Sequence, residues 1–126
     1  MSKPLRVIED APFRLSQELD ATELVSKYFR GLGNPTRLRI LELVGDRERS
    51  VGELARIIGE AQPKISNHLA CLRWCGYVTT RRDHRTIYYR QADQRVATII
   101  DLAHQLLAEN ADHVAACCRI PDQDHG

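Results

Sequence analysis

The chain has no run of 18 apolar residues, so no segment is long enough to cross a bilayer as a helix. Its opening, Met1-Ser-Lys-Pro-Leu-Arg-Val-Ile-Glu-Asp10, lacks the apolar core of a signal peptide. A cytoplasmic protein with no membrane partner is the expectation. There is no internal repeat and no low-complexity tract. Nor is there a Ser/His/Asp arrangement, a Gly-rich phosphate loop or a paired-carboxylate motif, so nothing points to an enzyme. Without a secretion signal, the four cysteines do not read as a disulfide framework. Cys71, Cys75, Cys117 and Cys118 are expected as thiols, open to metal binding or redox chemistry.

What is present is ordinary for a soluble domain: 126 residues, 43% apolar and 28% charged, enough for one domain with a modest core. The net charge of +1 hides an uneven distribution. Residues 1–61 hold ten basic and ten acidic side chains. Residues 62–90 hold Lys64, Arg73, Arg81, Arg82, Arg85 and Arg90 against the single acid Asp83. Residues 91–126 reverse the balance, with two basic and six acidic side chains. A basic middle followed by an acidic end fits a small DNA-binding module with a separate partner face.

Pro4 and Pro12 interrupt any long helix in an N-terminal arm, 1–20, expected to be mobile and to turn helical near 13–19. Leu24, Val25, Tyr28, Phe29 and Leu32 recur at helical spacing over 21–31, and Gly31 and Gly33 end that helix. Asn34-Pro35 opens the next, with Asn as N-cap and Pro in the first turn. Leu38, Ile40, Leu41, Leu43 and Val44 are its apolar side, and Gly45 its stop. Ser50 caps a short third helix with Glu53 at the capping-box position. Val51, Leu54, Ile57 and Ile58 supply its core face and Gly59 its end. A fourth helix covers 62–75. Two short helices joined by a tight turn, the second rich in small polar residues, make a helix-turn-helix. Tyr77-Val-Thr-Thr-Arg-Arg82 and Thr86-Ile-Tyr-Tyr-Arg90 flank the polar Asp83-His-Arg85 and predict a β-hairpin. A last helix over 93–111 carries a wide apolar surface, and an irregular tail, 112–126, bears Cys117 and Cys118. The expected fold is mainly α with a β-hairpin wing: a winged helix-turn-helix over 21–111, homodimeric through its terminal helices.

The fourth helix divides into strips. At about 100° per residue, Leu69 and Leu72 fall within roughly 40° of Ile65 and define the core face. Ser66, Asn67, Ala70 and Trp74 fall on the other side. Gln62, Lys64, Ser66 and Asn67 can reach base edges or phosphates, and the small Ala70 lets the helix approach DNA closely. His68 and Arg73 join this candidate set, and Arg81, Arg82, His84 and Arg85 of the wing can grip the backbone or minor groove. Cys71 and Cys75 share an off-core flank with Lys64 and His68. One helical turn apart, their Cβ atoms are about 6 Å from each other, close enough for two thiolates to converge on one ion with metal–sulfur bonds of about 2.3 Å. Cys117 or Cys118 can add a third thiolate, from the other subunit if the last helix is a dimer interface. Soft thiolates select ions such as Cd(II), Pb(II), As(III) or Hg(II) over hard ones. His104 and His113 read as surface histidines.

Leu32-Gly-Asn-Pro-Thr-Arg-Leu-Arg-Ile-Leu41, Ile65-Ser-Asn-His-Leu-Ala-Cys-Leu-Arg73, Gly76-Tyr-Val78 and Arg85-Thr-Ile-Tyr-Tyr89 occur in that order. Together they resemble the ArsR/SmtB family of winged-helix repressors over roughly residues 24–111. The resemblance implies a homodimer that binds double-stranded operator DNA without effector and is released when a metal or metalloid binds. His68-Leu-Ala-Cys-Leu-Arg-Trp-Cys-Gly76 is similar to the branch (CmtR-like) that senses cadmium and lead with two recognition-helix cysteines and a third from the partner's C-terminal region. That implies Cys71 and Cys75 with Cys117 or Cys118 as ligands. The family's Cys-x-Cys-type site on the preceding helix has no counterpart in Val51-Gly-Glu-Leu-Ala-Arg56, and Asp101-Leu-Ala-His104 is out of register with the Asp-x-His start of its zinc or nickel site. The expected function is a metal-released repressor, with Cd(II) or Pb(II) favoured. The alternatives are an As(III) or Hg(II) sensor using the same cysteines, or a repressor switched by thiol oxidation.

Overall fold

The computed structural model describes residues 19–121; the expectations for the arm and for the last five residues lie outside them. Asp20 caps the first helix, α1 (Ala21–Leu32), in a reciprocal capping box with Glu23. Gly31 lies inside α1 and Gly33 caps it, its N–H donating to the Arg30 carbonyl at 3.1 Å. Asn34 caps α2 (Pro35–Asp46) by accepting from the Arg37 N–H.

Gly45 does not end α2; the helix runs one residue further. What the position requires is room. A Cβ there would sit 2.5 Å from the amide nitrogen of Gln91, which donates to the Leu41 carbonyl at 2.8 Å. Ser50 and Glu53 form the expected capping box of α3 (Val51–Ile58), and left-handed Gly59 closes it. The core face of α3 is Leu54 and Ala55, with Val51 and Ile58 half-buried. Ile57, expected inside, is 48% exposed, because it lies about 120° round the helix from the 51, 54, 55, 58 stripe.

After α4 (Gln62–Trp74), left-handed Gly76 turns the chain into β2 (Val78–Asp83), which pairs antiparallel with β3 (Thr86–Gln91). A two-residue strand, β1 (Arg49–Ser50), pairs with β3 on its other side, so the sheet order is β1-β3-β2. That third strand was not expected. Two residues carry no readable alternation, and only the pairing of Arg49 with Tyr89 and Ser50 with Tyr88 defines it.

The last helix is two. Asp93 caps α5 (Gln94–Leu107), and α6 (Ala111–Ala116) follows after a break, across the expected boundary between domain and tail. The core joins Ile40, Leu41 and Val44 of α2, Leu54 of α3, Ile65, Leu69 and Leu72 of α4, Tyr77, Val78, and Val96 and Ile100 of α5. It is one contiguous cluster, to which α4 contributes the fully buried Ile65, Leu69 and Leu72 along one face. No helix among the described residues is long and apolar enough to cross a membrane.

Candidate nucleic-acid interface and metal centre

Helix α4 begins at Ala61, which offers no side-chain cap, with Pro63 in the first turn. Ile65, Leu69 and Leu72 are fully buried. Gln62, Ser66, Asn67, Ala70 and Arg73 are exposed along the rest of the helix. Lys64 is half-buried and pairs with Glu60 at 3.4 Å, one turn back. The exposed strip is therefore short, polar and close to neutral, a surface suited to approaching base edges.

His68 does not belong to that strip. It is 8% exposed, with Nδ1 3.5 Å from a guanidinium nitrogen of Arg37. Its wheel position, about 60° from Ile65, lies within the reach of α2 and of the end of α1. Burial, then the charges of Arg37 and Lys64, hold its pKa below the usual imidazole range. It is a neutral interior histidine and is removed from the DNA-contacting set.

Successive wing residues face opposite sides of the hairpin. Arg81 turns toward Glu48 in the α2–β1 loop, with Nε 3.1 Å from both carboxylate oxygens and Nη2 2.9 Å from one. Its guanidinium also lies over the Tyr88 ring, 5.0 Å from the centroid. The Arg81 hydrogen bond keeps the Glu48 carboxyl below the ordinary carboxylate range. Arg81 is thus already engaged within the chain, whereas Arg82 and Arg85 are exposed. His84 occupies the first of the two turn residues with φ 58°, and its Nδ1 lies 2.7 Å from the Asp83 carboxylate. A left-handed φ at that position favours glycine, and the contact with Asp83 helps an imidazole occupy it.

Cys71 is the last cysteine inside α4. Cys75, expected within the helix, is instead its cap, with the N–H donating to the Cys71 carbonyl at 3.0 Å. Cys71 is half-buried and Cys75 exposed at its surface. Burial of the sulfur, then the neighbouring Cys71 thiol and a hydrogen bond with it, push the Cys75 thiol up; Lys27 and Arg37 act the other way. The two thiols are therefore adjacent, as a bidentate pair must be. Cys117 caps α6 and Cys118 follows it, half-buried and exposed respectively. Among the described residues of one chain, no three His, Cys, Asp or Glu side chains converge into a group able to hold an ion. The two cysteine pairs are not brought together within a protomer. His104 is on the surface, 3.0 Å from Glu42.

Three participants had no local signal. Glu48 meets Arg81 of the wing 33 positions away, Arg37 meets His68 of α4 31 positions away, and the hydroxyl of buried Tyr77 donates to the Tyr28 carbonyl in α1. Only the third hints at itself, since a Tyr that follows a left-handed glycine and is fully buried needs a partner for its hydroxyl.

The pattern of the family described as "Bacterial regulatory protein, arsR family" matches residues 34–80, from the cap of α2 into β2. The probable mercury resistance operon repressor of Streptomyces lividans is 41% identical over 101 residues, covering 80% of this chain and 81% of that one. The transcriptional regulator CmtR of Mycobacterium bovis is 38% identical over 84 residues, covering 66% of this chain and 71% of that one. A homodimeric winged helix-turn-helix DNA-binding domain from Mycobacterium bovis, solved in solution, has a TM-score of 0.63 at 26% identity, covering 87% of this chain and all of that one.

Proposed function

This chain belongs to the ArsR family of bacterial regulatory proteins, and from that premise we propose that it is a cytoplasmic repressor, homodimeric on operator DNA and released by a thiophilic metal ion. The observation that carries the reading is the position of Cys71 and Cys75. They form an adjacent thiol pair on the last turn of the helix whose first turns expose Gln62, Ser66 and Asn67. An ion held there bears directly on the reading helix. Exposed Phe29 of α1 and Leu102, Leu106 and Leu107 of α5 supply the apolar surface for a second copy.

We favour Cd(II) or Pb(II), bound by Cys71, Cys75 and one tail cysteine, Cys117 or Cys118, from the partner subunit. The identity to CmtR, and the separation of the two cysteine pairs within one chain, support a site closed across the dimer. A specific observation also favours Hg(II). Its relative in Streptomyces lividans is described as a mercury resistance operon repressor, and an ion content with two thiolates needs no tail ligand. As(III) would require three. Cys71, Cys75 and a tail cysteine would hold the ion; when bound, it supplies bonds to sulfur and no catalytic chemistry.

The test is a titration of the full-length protein with Cd(II), Pb(II), Hg(II) and As(III) in turn, following the thiolate-to-metal ultraviolet band together with release from a duplex selected by the metal-free protein. Release that tracks the band is the expected result. Release by peroxide without any such band would instead mark a thiol-oxidation switch, and DNA binding indifferent to all four ions would sink the reading.

A further inference from the structure

Arg37 is half-buried where three segments meet. Its Nε donates to the Gly31 carbonyl at 2.6 Å and Nη2 to the Arg30 carbonyl at 3.2 Å. These belong to the last turn of α1, where a helix leaves carbonyls without intrahelical donors. The other guanidinium nitrogen, Nη1, lies 3.5 Å from His68 Nδ1 in α4. Arginine is only a donor, so Nδ1 accepts and the imidazole carries its proton on Nε2. A second tie joins the same two helices further on. Past Cys75 the chain turns through Gly76 into Tyr77, whose hydroxyl donates to the Tyr28 carbonyl. The Tyr77 ring lies 4.5 Å from that of Tyr28, and a Cβ on Gly31 would meet the Tyr77 hydroxyl at 3.0 Å. The segment from α4 into β2 is therefore tied to α1 at two points, at His68 through Arg37 of α2 and at Tyr77 directly, and Cys71 and Cys75 lie between them.

We propose that Arg37 is a positioning residue that couples ion capture at Cys71 and Cys75 to movement of the reading helix, by holding that helix through His68 to the end of α1. The inference rests on the proposed function. A helix held at one point can pivot when its last turn is pulled, and its first turns need not follow. Held at two, it moves as one body together with the end of α1, and the displacement reaches Gln62, Ser66 and Asn67. The coupling is then a property of the Arg37–His68 contact, read as the ratio of DNA affinities with and without the ion; Arg37 also favours the Cys75 thiolate by its charge, whereas His68 carries the contact alone.

The test uses the full-length protein, Cd(II) alone as the metal, and a duplex selected by the metal-free wild type. Cd(II) affinity is read from the thiolate absorption band, and DNA affinity from fluorescence anisotropy with and without Cd(II). In the wild type the ratio of the two DNA affinities is expected to be on the order of 100-fold. With Cd(II) saturating, that ratio is expected to fall to about tenfold or less in both Arg37→Gln and His68→Leu; His68→Leu should bind Cd(II) as the wild type does, and Arg37→Gln more weakly, since the Arg37 charge favours the Cys75 thiolate. A purely structural residue would shift both DNA affinities by one factor and leave the ratio alone; that result overturns the proposal. His68→Leu cuts only the leg to α4 and keeps the contacts with α1, so it decides the matter if Arg37→Gln does not fold. Arg37→Lys keeps the charge but cannot reach two carbonyls and an imidazole together, and is expected to behave like Arg37→Gln. Full recovery with Lys would overturn the proposal in favour of simple charge. A wild type that Cd(II) binds but does not release overturns the underlying function and this inference together, and is distinguishable from variants that release normally.

Discussion

The N–H of Cys75 donates to the carbonyl of Cys71 at 3.0 Å, the last helical hydrogen bond of α4. One sulfur therefore leaves the helix proper and the other leaves its cap, beyond which the N–H groups of Gly76 and Tyr77 donate back to the Arg73 and Leu72 carbonyls at 3.2 and 2.9 Å. Cys71→Ser and Cys75→Ser each remove a soft ligand and leave the core face of Ile65, Leu69 and Leu72 untouched. Metal-free DNA binding is expected to stay within about twofold of wild type, while Cd(II) affinity falls by at least about 100-fold, beyond what loss of an outer-shell partner costs. Isothermal titration and anisotropy measure the two. A double variant still released by Cd(II) would exclude these ligands.

Because burial and Cys71 raise the Cys75 thiol, it is protonated at neutral pH, and an ion must displace that proton to bind. Affinity for Cd(II) should therefore rise with pH, by up to about tenfold per pH unit for each thiol proton released. The sign is fixed: a raised thiol pKa means that acid opposes binding and alkali favours it. Competition titrations against a chelator between about pH 6 and about pH 8 check this. A flat profile would mean that the sulfurs are already thiolates, or that they are not the ligands.

How far the sequence disclosed the molecule follows from the range of each interaction. Caps are local, so Asn34, Ser50 with Glu53, and Gly59 could be placed from residues three apart or fewer. The hairpin was legible from two β-branched runs, and the core face of α4 from one wheel. Gly45 misled, because a glycine can serve close packing as well as termination, and the packing partner, Gln91, is remote in sequence. His68 was misplaced for the same reason. On the wheel it sits beside the cysteines, and only the approach of Arg37 from α2 shows that this edge of the strip is interior. Within the candidate site, the adjacency of Cys71 and Cys75 was readable because it spans one turn, whereas the Glu48–Arg81 pairing spans 33 residues and needs the sheet to exist first.

Glu48 makes a prediction about the wing. Its carboxylate engages Arg81 through two guanidinium nitrogens, while Arg81 also lies over Tyr88. If Arg81 contacts a phosphate on DNA, it must first leave Glu48. Glu48→Gln then weakens that hold and is expected to raise DNA affinity several-fold. It should also steepen the dependence of log affinity on log salt by about 0.9, the contribution of one phosphate contact. Anisotropy titrations at several salt concentrations read both. An unchanged slope would assign Arg81 to shaping the hairpin and leave Arg82 and Arg85 as its DNA-facing cations.

The apolar surface of α5 makes another. Val96 and Ile100 point into the core, but Leu106 is 74% exposed and Leu102 and Leu107 are also on the surface. Phe29 of α1 is 54% exposed, on a helix whose last residue, Leu32, packs into the core. Fully covering a leucine side chain is worth about 1.5–3 kcal/mol, and in a two-fold dimer each residue counts twice. Leu106→Asp should therefore weaken self-association by a factor on the order of 100 or more, since two such losses amount to about 3 kcal/mol or above. Folding should survive, because Leu106 gives no side chain to the core of its own protomer. Sedimentation velocity at micromolar concentration would show the shift from dimer to monomer, and affinity for a palindromic duplex should fall with it while a half-site is bound as before. A dimer that persists in both Leu106→Asp and Phe29→Asp would place the contact between copies elsewhere. The cysteines of α4 would then have to find their third thiolate through that other contact, or hold the ion as a pair.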